Sequence, residues 1–158
     1  MREHIYIQTL YEEIEDMVAQ AMTSIEYVGA MKGVMVEEIK DKVYNAYNPA
    51  MYDRKKYNGG LIDTVDTIKD YYDFSELTLS IANERMGYSD DSNMDRYVTP
   101  VIVTGVGYNW TGIDEFFRRN DQPRDFLTAT EDSLESSGKH VTKLESILNS
   151  KGYNVYSS

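Results

Sequence analysis

The side chains best suited to chemistry in this chain are two histidines and a short acidic stretch. His4 lies near the N-terminus and His140 follows a predicted helix break, so neither is paired with a serine nucleophile or a second metal ligand. Residues 91–95, DSNMD, match the opening of a calcium-binding loop, but Arg96 replaces the glycine of its sharp turn and Ile102 its bidentate glutamate. We therefore predict no catalytic residue, no metal site and no cofactor, and the chain is not expected to be an enzyme.

A second candidate is a stretch rich in aromatic and basic side chains, residues 43–61. Asn48 precedes a proline, which disfavours the α region, so the helical periodicity before it must end there. Tyrosines between positions 44 and 57 are interleaved with Arg54, Lys55 and Lys56. Tyrosine, tryptophan and arginine are enriched at interface hot spots, so we predict that these side chains form contacts with other protein subunits. The alternative is a tyrosine-rich surface loop. The residues concerned are Tyr44, Tyr47, Tyr52, Arg54, Tyr57, Tyr108 and Trp110.

Three segments resemble small structural proteins of long-tailed bacteriophages and prophages, a family of neck, tail-completion and head-to-tail joining proteins. Residues 43–63, VYNAYNPAMYDRKKYNGGLID, are similar to its VY-x-AY-x-P-x-x-Y-x-R…GGL-x-D segment. Residues 101–108, VIVTGVGY, resemble its IVE-x-G-x-GY segment, and residues 123–130, PRDFLTAT, its RPF-x-x-x-T segment. Thr104 and Asp125 depart from the glutamate and proline that the family often has at these positions.

The resemblance covers roughly residues 20–152 and implies a virion structural protein that joins the head connector to the tail. It implies a ring of six or twelve copies around the DNA channel, assembled in the cytoplasm of the host bacterium. The expected partners are other copies of the chain and the phage connector, adaptor and tail proteins, while DNA passes without specific binding. The motif positions added to the expected interface are Pro49, Gly59, Gly60, Leu61, Gly105, Gly107, Arg124 and Phe126.

The charge of the chain bears on its relation to DNA. A net charge of −11 argues against a surface that neutralises phosphates, which needs clustered lysine and arginine. An acidic wall would instead repel the duplex and let it slide past. The competing interpretation is that the acidic residues only solvate an outer surface of the protein. The carboxylates expected on the outward face of the N-terminal helices, and thus the candidate lining of the channel, are Glu12, Glu13, Glu15, Asp16, Glu37 and Glu38.

Composition fits one globular domain. The 158 residues are 41% apolar and 27% charged, which is enough for a core and gives no sign of disorder. The absence of cysteine excludes disulfides and cysteine-ligated metals, and fits a reducing compartment. No apolar run approaches the roughly 18 residues of a membrane span, and no membrane partner is expected.

The predicted fold is α+β, with N-terminal amphipathic helices packed on a small antiparallel sheet of three to four strands, followed by C-terminal helices. Apolar residues at steps of three and four predict two helices, or one kinked helix, within residues 1–47. Gly29 and Gly33 mark the expected bend or break. The connector then occupies residues 48–60.

The sheet is predicted within residues 61–104. Alternating residues predict strands at 61–70 and 74–82, joined by a turn at 70–73, and a mobile polar loop at 86–94. The apolar, β-branched stretch 97–104 is predicted to be an edge strand, since Pro100 cannot donate to a sheet.

The last part of the chain is predicted to hold a loop and C-terminal helices, residues 105–152. Helical spacing is interrupted near Gly138, and Gly152 is a plausible cap. Residues 153–158 form a polar tail.

Two further function classes remain open. One is an acidic protein-interaction module, such as a DNA-mimicking inhibitor whose carboxylates engage a basic protein. The other is a hydrolase with scattered carboxylates. Neighbouring genes for portal, capsid and tail proteins would favour the joining protein, and a neighbouring nuclease gene would favour the mimic.

Overall fold

The computed structural model describes residues 2–46, 59–87, 96–106 and 122–156, of which residues 2–6, 87 and 96 are described by their backbone alone. Within these segments the predicted α+β class is confirmed. In chain order the elements are α1 (Arg2–Met22), α2 (Ile25–Ile39), a π-helical segment (Lys40–Asn45), β1 (Ile68–Asp73), β2 (Thr78–Asn83), β3 (Met86–Gly87), β4 (Arg96–Tyr97), α3 (Val98–Thr104), α4 (Phe126–Ser137) and α5 (Lys139–Ser150).

The break between the N-terminal helices lies at Ser24, and the prediction of a break at Gly29 and Gly33 is wrong. The Ser24 hydroxyl accepts a hydrogen bond from the backbone N–H of Tyr27 at 3.2 Å and donates to the carbonyl of Ala21 at 2.7 Å. This serine caps α2, which then runs through both glycines without interruption. A cap with an extended backbone therefore decides the boundary, while helical glycines only weaken the helix that holds them.

Helix α2 is the central element because it contributes to both core clusters. The first core cluster joins α2 and the π-helical segment to β1, α3 and α4; it contains Met35, Ile39, Val43, Leu61, Ile62, Ile68, Ile102 and Phe126. The second core cluster joins α1, α2 and α5; it contains Ala21, Tyr27, Met31, Ile147 and Leu148. The expected docking of both N-terminal helices on the sheet is therefore right only in part: α2 meets β1 through Ile68 in the first core cluster but packs mainly against α4, and α1 packs against α5 and α2.

The predicted antiparallel hairpin is present but shifted along the chain. Strand β1 pairs with β2 in a register that joins Ile68 to Asn83 and Asp73 to Thr78, so residues 70–73 are in a strand and not in the expected turn. The turn lies at residues 74–77, where the Asp73 carboxylate accepts hydrogen bonds from the Ser75 N–H at 2.8 Å and the Ser75 hydroxyl at 2.6 Å. The expected strand at 61–70 is wrong up to residue 67, because that stretch forms turns.

The expected edge strand at 97–104 is also wrong, since these residues form α3 after the short strand β4. Pro100 lies in the first turn of α3, where backbone N–H groups have no acceptor within the helix, so the N–H that proline lacks is not needed there. Gly105 ends this helix with a φ of +69°. Strand β4 pairs only with β3, so the described residues hold two separate two-stranded sheets and not one sheet of three to four strands.

The C-terminal helices agree with their prediction. Gly138 has a φ of +59° and separates α4 from α5, and Gly152, with a φ of +92°, follows the end of α5. The first residues of the tail fold back on α5, because the Asn149 side chain bonds both the N–H and the carbonyl of Val155 at 3.0 Å. Val155 also packs against the second core cluster.

Candidate interaction surfaces

The residues predicted to form an interface divide into a described and an undescribed group. Those that lie outside the described residues, and for which the interface role stays a prediction, are Tyr47, Pro49, Tyr52, Arg54, Tyr57, Gly107, Tyr108 and Trp110. The expected loop at residues 86–94 likewise lies outside them, apart from the pairing of Met86 and Gly87 in β3.

The described members of the predicted interface belong largely to the interior. Phe126 is fully buried and Leu61 is 8% exposed, both in the first core cluster. Tyr44 is half-buried and packs against the same cluster. In this fold Leu61 and Phe126 therefore stabilise the surrounding segments from inside and do not offer contact surface.

The three segments that resemble phage proteins meet in the first core cluster. Leu61 comes from the first segment, Ile102 from the second and Phe126 from the third. A backbone hydrogen bond from the N–H of Arg124 to the carbonyl of Ile102, at 3.0 Å, joins the second segment to the third. The three segments thus share a core, which could not be predicted from sequence because buried and exposed apolar or aromatic residues look alike there.

A polar network holds the end of the connector in place. The Asn83 side chain donates to the carbonyl of Leu61 at 2.8 Å, and the Thr99 hydroxyl lies 2.8 Å from the Asn83 side-chain oxygen. Both Asn83 and Thr99 are buried, so this network is shielded from water. It ties the segment after Gly60 to β2 and α3.

Asp63 closes the turn that follows the connector. Its carboxylate accepts hydrogen bonds from the backbone N–H groups of Gly59 at 2.6 Å, Val65 at 2.9 Å and Asp66 at 3.0 Å. The bond from Asp66, followed by those from Gly59 and Val65, lowers the pKa of Asp63 below its ordinary value. Gly59 has a φ of +81°, the left-handed region that glycine adopts without strain.

The six carboxylates proposed to line a channel do not share one environment. Glu12, Glu13, Glu15 and Asp16 are exposed on α1 and have no ion pair within the described residues. Glu37 pairs with Lys40 at 2.7 Å. Glu38 is half-buried and accepts a hydrogen bond from the Ser133 hydroxyl of α4 at 2.5 Å. Only the four on α1 are thus fully available to a partner or to solvent.

Among the described residues, the N-terminal half of α1 carries exposed apolar side chains at helical spacing. Ile7, Leu10, Tyr11 and Ile14 are 53%, 56%, 64% and 43% exposed. We call these four residues the α1 stripe. In the C-terminal half of the same helix Ala21 is fully buried. The apolar spacing is the same in both halves, so sequence alone could not show that only the second half is covered.

Residues of chemical interest do not converge in the described segments. The Nδ1 atom of His140 lies 3.0 Å from the carbonyl of Leu134, at the junction of α4 and α5. Across the four described segments no three histidine or acidic side chains are placed to hold a metal ion. None of the helices described is both long enough and apolar enough to cross a membrane.

The described residues thus define an α+β protein whose candidate functional regions are exposed surfaces. The chain belongs to the YomN family, whose sequence model matches residues 6–150. YomN is the name of a protein derived from a Bacillus phage or prophage, so this membership indicates a phage-related protein. No curated protein and no solved structure matches the chain.

Proposed function

We propose that this protein is a virion structural protein of a tailed bacteriophage, and that it joins the head connector to the tail as a ring around the DNA channel. The observation that carries the proposal is the exposed α1 stripe in a chain of a phage-related family. A helix face with this spacing is normally covered by protein. An assembly that places the chain between other components would cover it.

Helix α1 is buried in its C-terminal half and exposed in its N-terminal half, which suits a helix that docks onto a partner. The C-terminal half is fixed, since Ala19 and Ala21 are buried and Met17 packs on the second core cluster. The N-terminal half therefore presents the α1 stripe on a helix whose direction is already set. A preformed helix loses little conformational freedom when it binds, which favours a permanent joint.

Contacts between copies would come from the aromatic connector, with Tyr52 and Arg54 as its central members. A contact that uses different surfaces on the two copies generates a closed ring when the rotation between them closes. Such a ring would have six or twelve copies, with connector and tail proteins above and below.

The channel wall would be formed by part of the acidic set on α1. The helical repeat places Glu12 and Asp16 on the side of α1 opposite the stripe. If the stripe faces a partner, these two carboxylates are the ones free to face the bore. Negative potential there would keep the duplex centred and mobile.

The proposal is tested in a phage that depends on this chain for assembly. The double substitution Leu10→Gln/Ile14→Gln should leave a folded protein, because both side chains are exposed, yet give full heads and free tails that do not join. Val65→Gln, which changes a side chain that is 76% exposed away from α1, is the control and should give normal particles. Electron microscopy and plaque counts are the measurements. Normal numbers of infectious particles from the double variant, with the chain missing from purified virions by mass spectrometry, would reject the proposal.

A further inference from the structure

We propose that the α1 stripe binds a basic amphipathic helix of another protein component. The inference refines the proposed function and rests on it for the claim that α1 docks a different component. It adds the chemistry of the partner: an apolar stripe bordered by lysine or arginine. This choice follows from the charges that surround Ile7, Leu10, Tyr11 and Ile14.

The spacing of the stripe fits a helical partner. Positions 7, 10, 11 and 14 follow the i, i+3, i+4, i+7 pattern, so the four exposed side chains form one continuous row on α1. A straight row on a helix packs against a second helix, whose own row at the same spacing interlocks with it.

The borders of the stripe are acidic on both sides. The helical repeat places Glu13 beside Leu10 on one border and Glu15 beside Tyr11 on the other. No lysine or arginine occurs anywhere in residues 3–31, so the helix itself offers these carboxylates no cation after Arg2. Both side chains are exposed and lack an ion pair within the described residues. A partner with cations at its own borders would neutralise them on contact.

The same charges argue against the other occupants of an apolar helix face. A second copy of α1 has the same acidic borders and no lysine or arginine in residues 3–31, so it would supply no cation to pair with Glu13 and Glu15. An anionic lipid surface attracts helices with basic borders and repels this one. Nucleic acid is repelled for the same reason.

The test uses the full chain and three synthetic peptides of about 20 residues, a length that supports a helix. The first peptide has a leucine stripe with lysine borders, the second has the same stripe with glutamate borders, and the third keeps the lysines but replaces the leucines by glutamine. Fluorescence anisotropy measures binding at low and high salt. We expect saturable binding of the first peptide, at least about tenfold weaker binding of the second and none of the third, with weaker binding at high salt.

Variants of the chain assign the binding to α1. Leu10→Gln/Ile14→Gln should abolish binding of the lysine-bordered peptide, and Glu13→Gln/Glu15→Gln should weaken it at least about fivefold and reduce its salt dependence. The matched control is Val65→Gln/Glu76→Gln, which removes one exposed apolar and one exposed acidic side chain elsewhere and should bind like the parent. Circular dichroism checks that all variants keep their helix content.

Equal binding of the lysine-bordered and glutamate-bordered peptides would overturn the inference, as would no binding of either. A parent protein that is oligomeric by sedimentation, and becomes monomeric when the stripe is changed, would assign the stripe to a second copy. Binding to phosphatidylglycerol vesicles through the stripe would assign it to lipid. If the peptide results fail while the stripe variant still leaves heads and tails unjoined, the partner chemistry is wrong and the proposed function stands. If the peptide binds as expected but the chain is missing from virions, the proposed function fails alone.

Discussion

Asp63 illustrates how one side chain fixes the course of the segment after the connector. Its carboxylate satisfies the backbone N–H groups of Gly59, Val65 and Asp66, and this holds residues 59–66 in turns. The hydrogen bonds favour the charged form, so the pKa of Asp63 is lower in the folded protein than its unfolded value of about 3.9. The stabilisation is therefore complete above the unfolded pKa and is lost as the pH falls through the folded pKa.

We expect Asp63→Asn to lower the free energy of unfolding at pH 7 and to have a clearly smaller effect at pH 3, because pH 3 lies below the unfolded pKa and part of the stabilisation by the charged carboxylate is already lost there. Urea unfolding at the two pH values measures the difference. Asp66→Asn, a change to an exposed neighbouring carboxylate, is the control and should have a small effect at both. An effect of Asp63→Asn that is equal at pH 7 and pH 3 would show that the charge of Asp63 does not hold this turn.

Asp63 and Pro100 also explain why the sheet could not be predicted from sequence. The alternation in residues 61–67 is typical of a strand, but the side chain of Asp63 captures the backbone donors that a sheet would use. The stretch from Val98 is rich in β-branched residues, yet it forms α3, because Pro100 fits the first turn and Ile102 gains burial in the first core cluster. Local side-chain hydrogen bonds override strand propensity at the first place, and tertiary packing does so at the second.

At the scale of elements, a helix boundary set by a left-handed glycine is easier to predict from the sequence than one set by a side-chain cap. Gly138 separates two helices of clear periodicity, so the sequence reveals this boundary. The boundary at Ser24 depends on one hydroxyl within a stretch whose apolar periodicity continues through it. Gly29 and Gly33 are the more obvious candidates for a boundary in the sequence, but α2 continues through both. The same holds for the α1 stripe, whose periodicity predicts a helix but not its exposure.

Substitutions at the cap and at a helical glycine are expected to change the free energy of unfolding in opposite directions. Ser24→Ala should lower the free energy of unfolding by about 0.5–2 kcal/mol, because it removes the cap of α2. Gly33→Ala should raise it by about 0.5–1 kcal/mol, since a methyl group there would meet no atom within 4 Å and helical alanine is favoured over glycine.

Thermal or urea unfolding of both single variants beside the parent measures these changes. A destabilising effect of Gly33→Ala would contradict the open space around Gly33 and its place inside the continuous helix Ile25–Ile39.

On the scale of the whole molecule, the described residues combine a core shared by the three segments that resemble phage proteins with an exposed apolar row on α1 and acidic residues beside it. Leu61, Ile102 and Phe126 are buried in the first core cluster, whereas the α1 stripe and the acidic residues beside it are exposed. Sequence reasoning found the acidic residues and the resemblance to phage proteins. It could not separate core positions of the motif from surface ones, because both kinds are apolar or aromatic.

The most direct test of the central claim is a cryo-electron microscopy reconstruction of the neck of a phage particle that encodes this chain. The proposed function predicts a ring of six or twelve copies between the connector and the tail, with the α1 stripe covered by a helix of another component. It also predicts Glu12 and Asp16 on the side of the DNA channel. A well-resolved neck that contains no copy of this chain, in particles that are complete and infectious, would contradict the proposal.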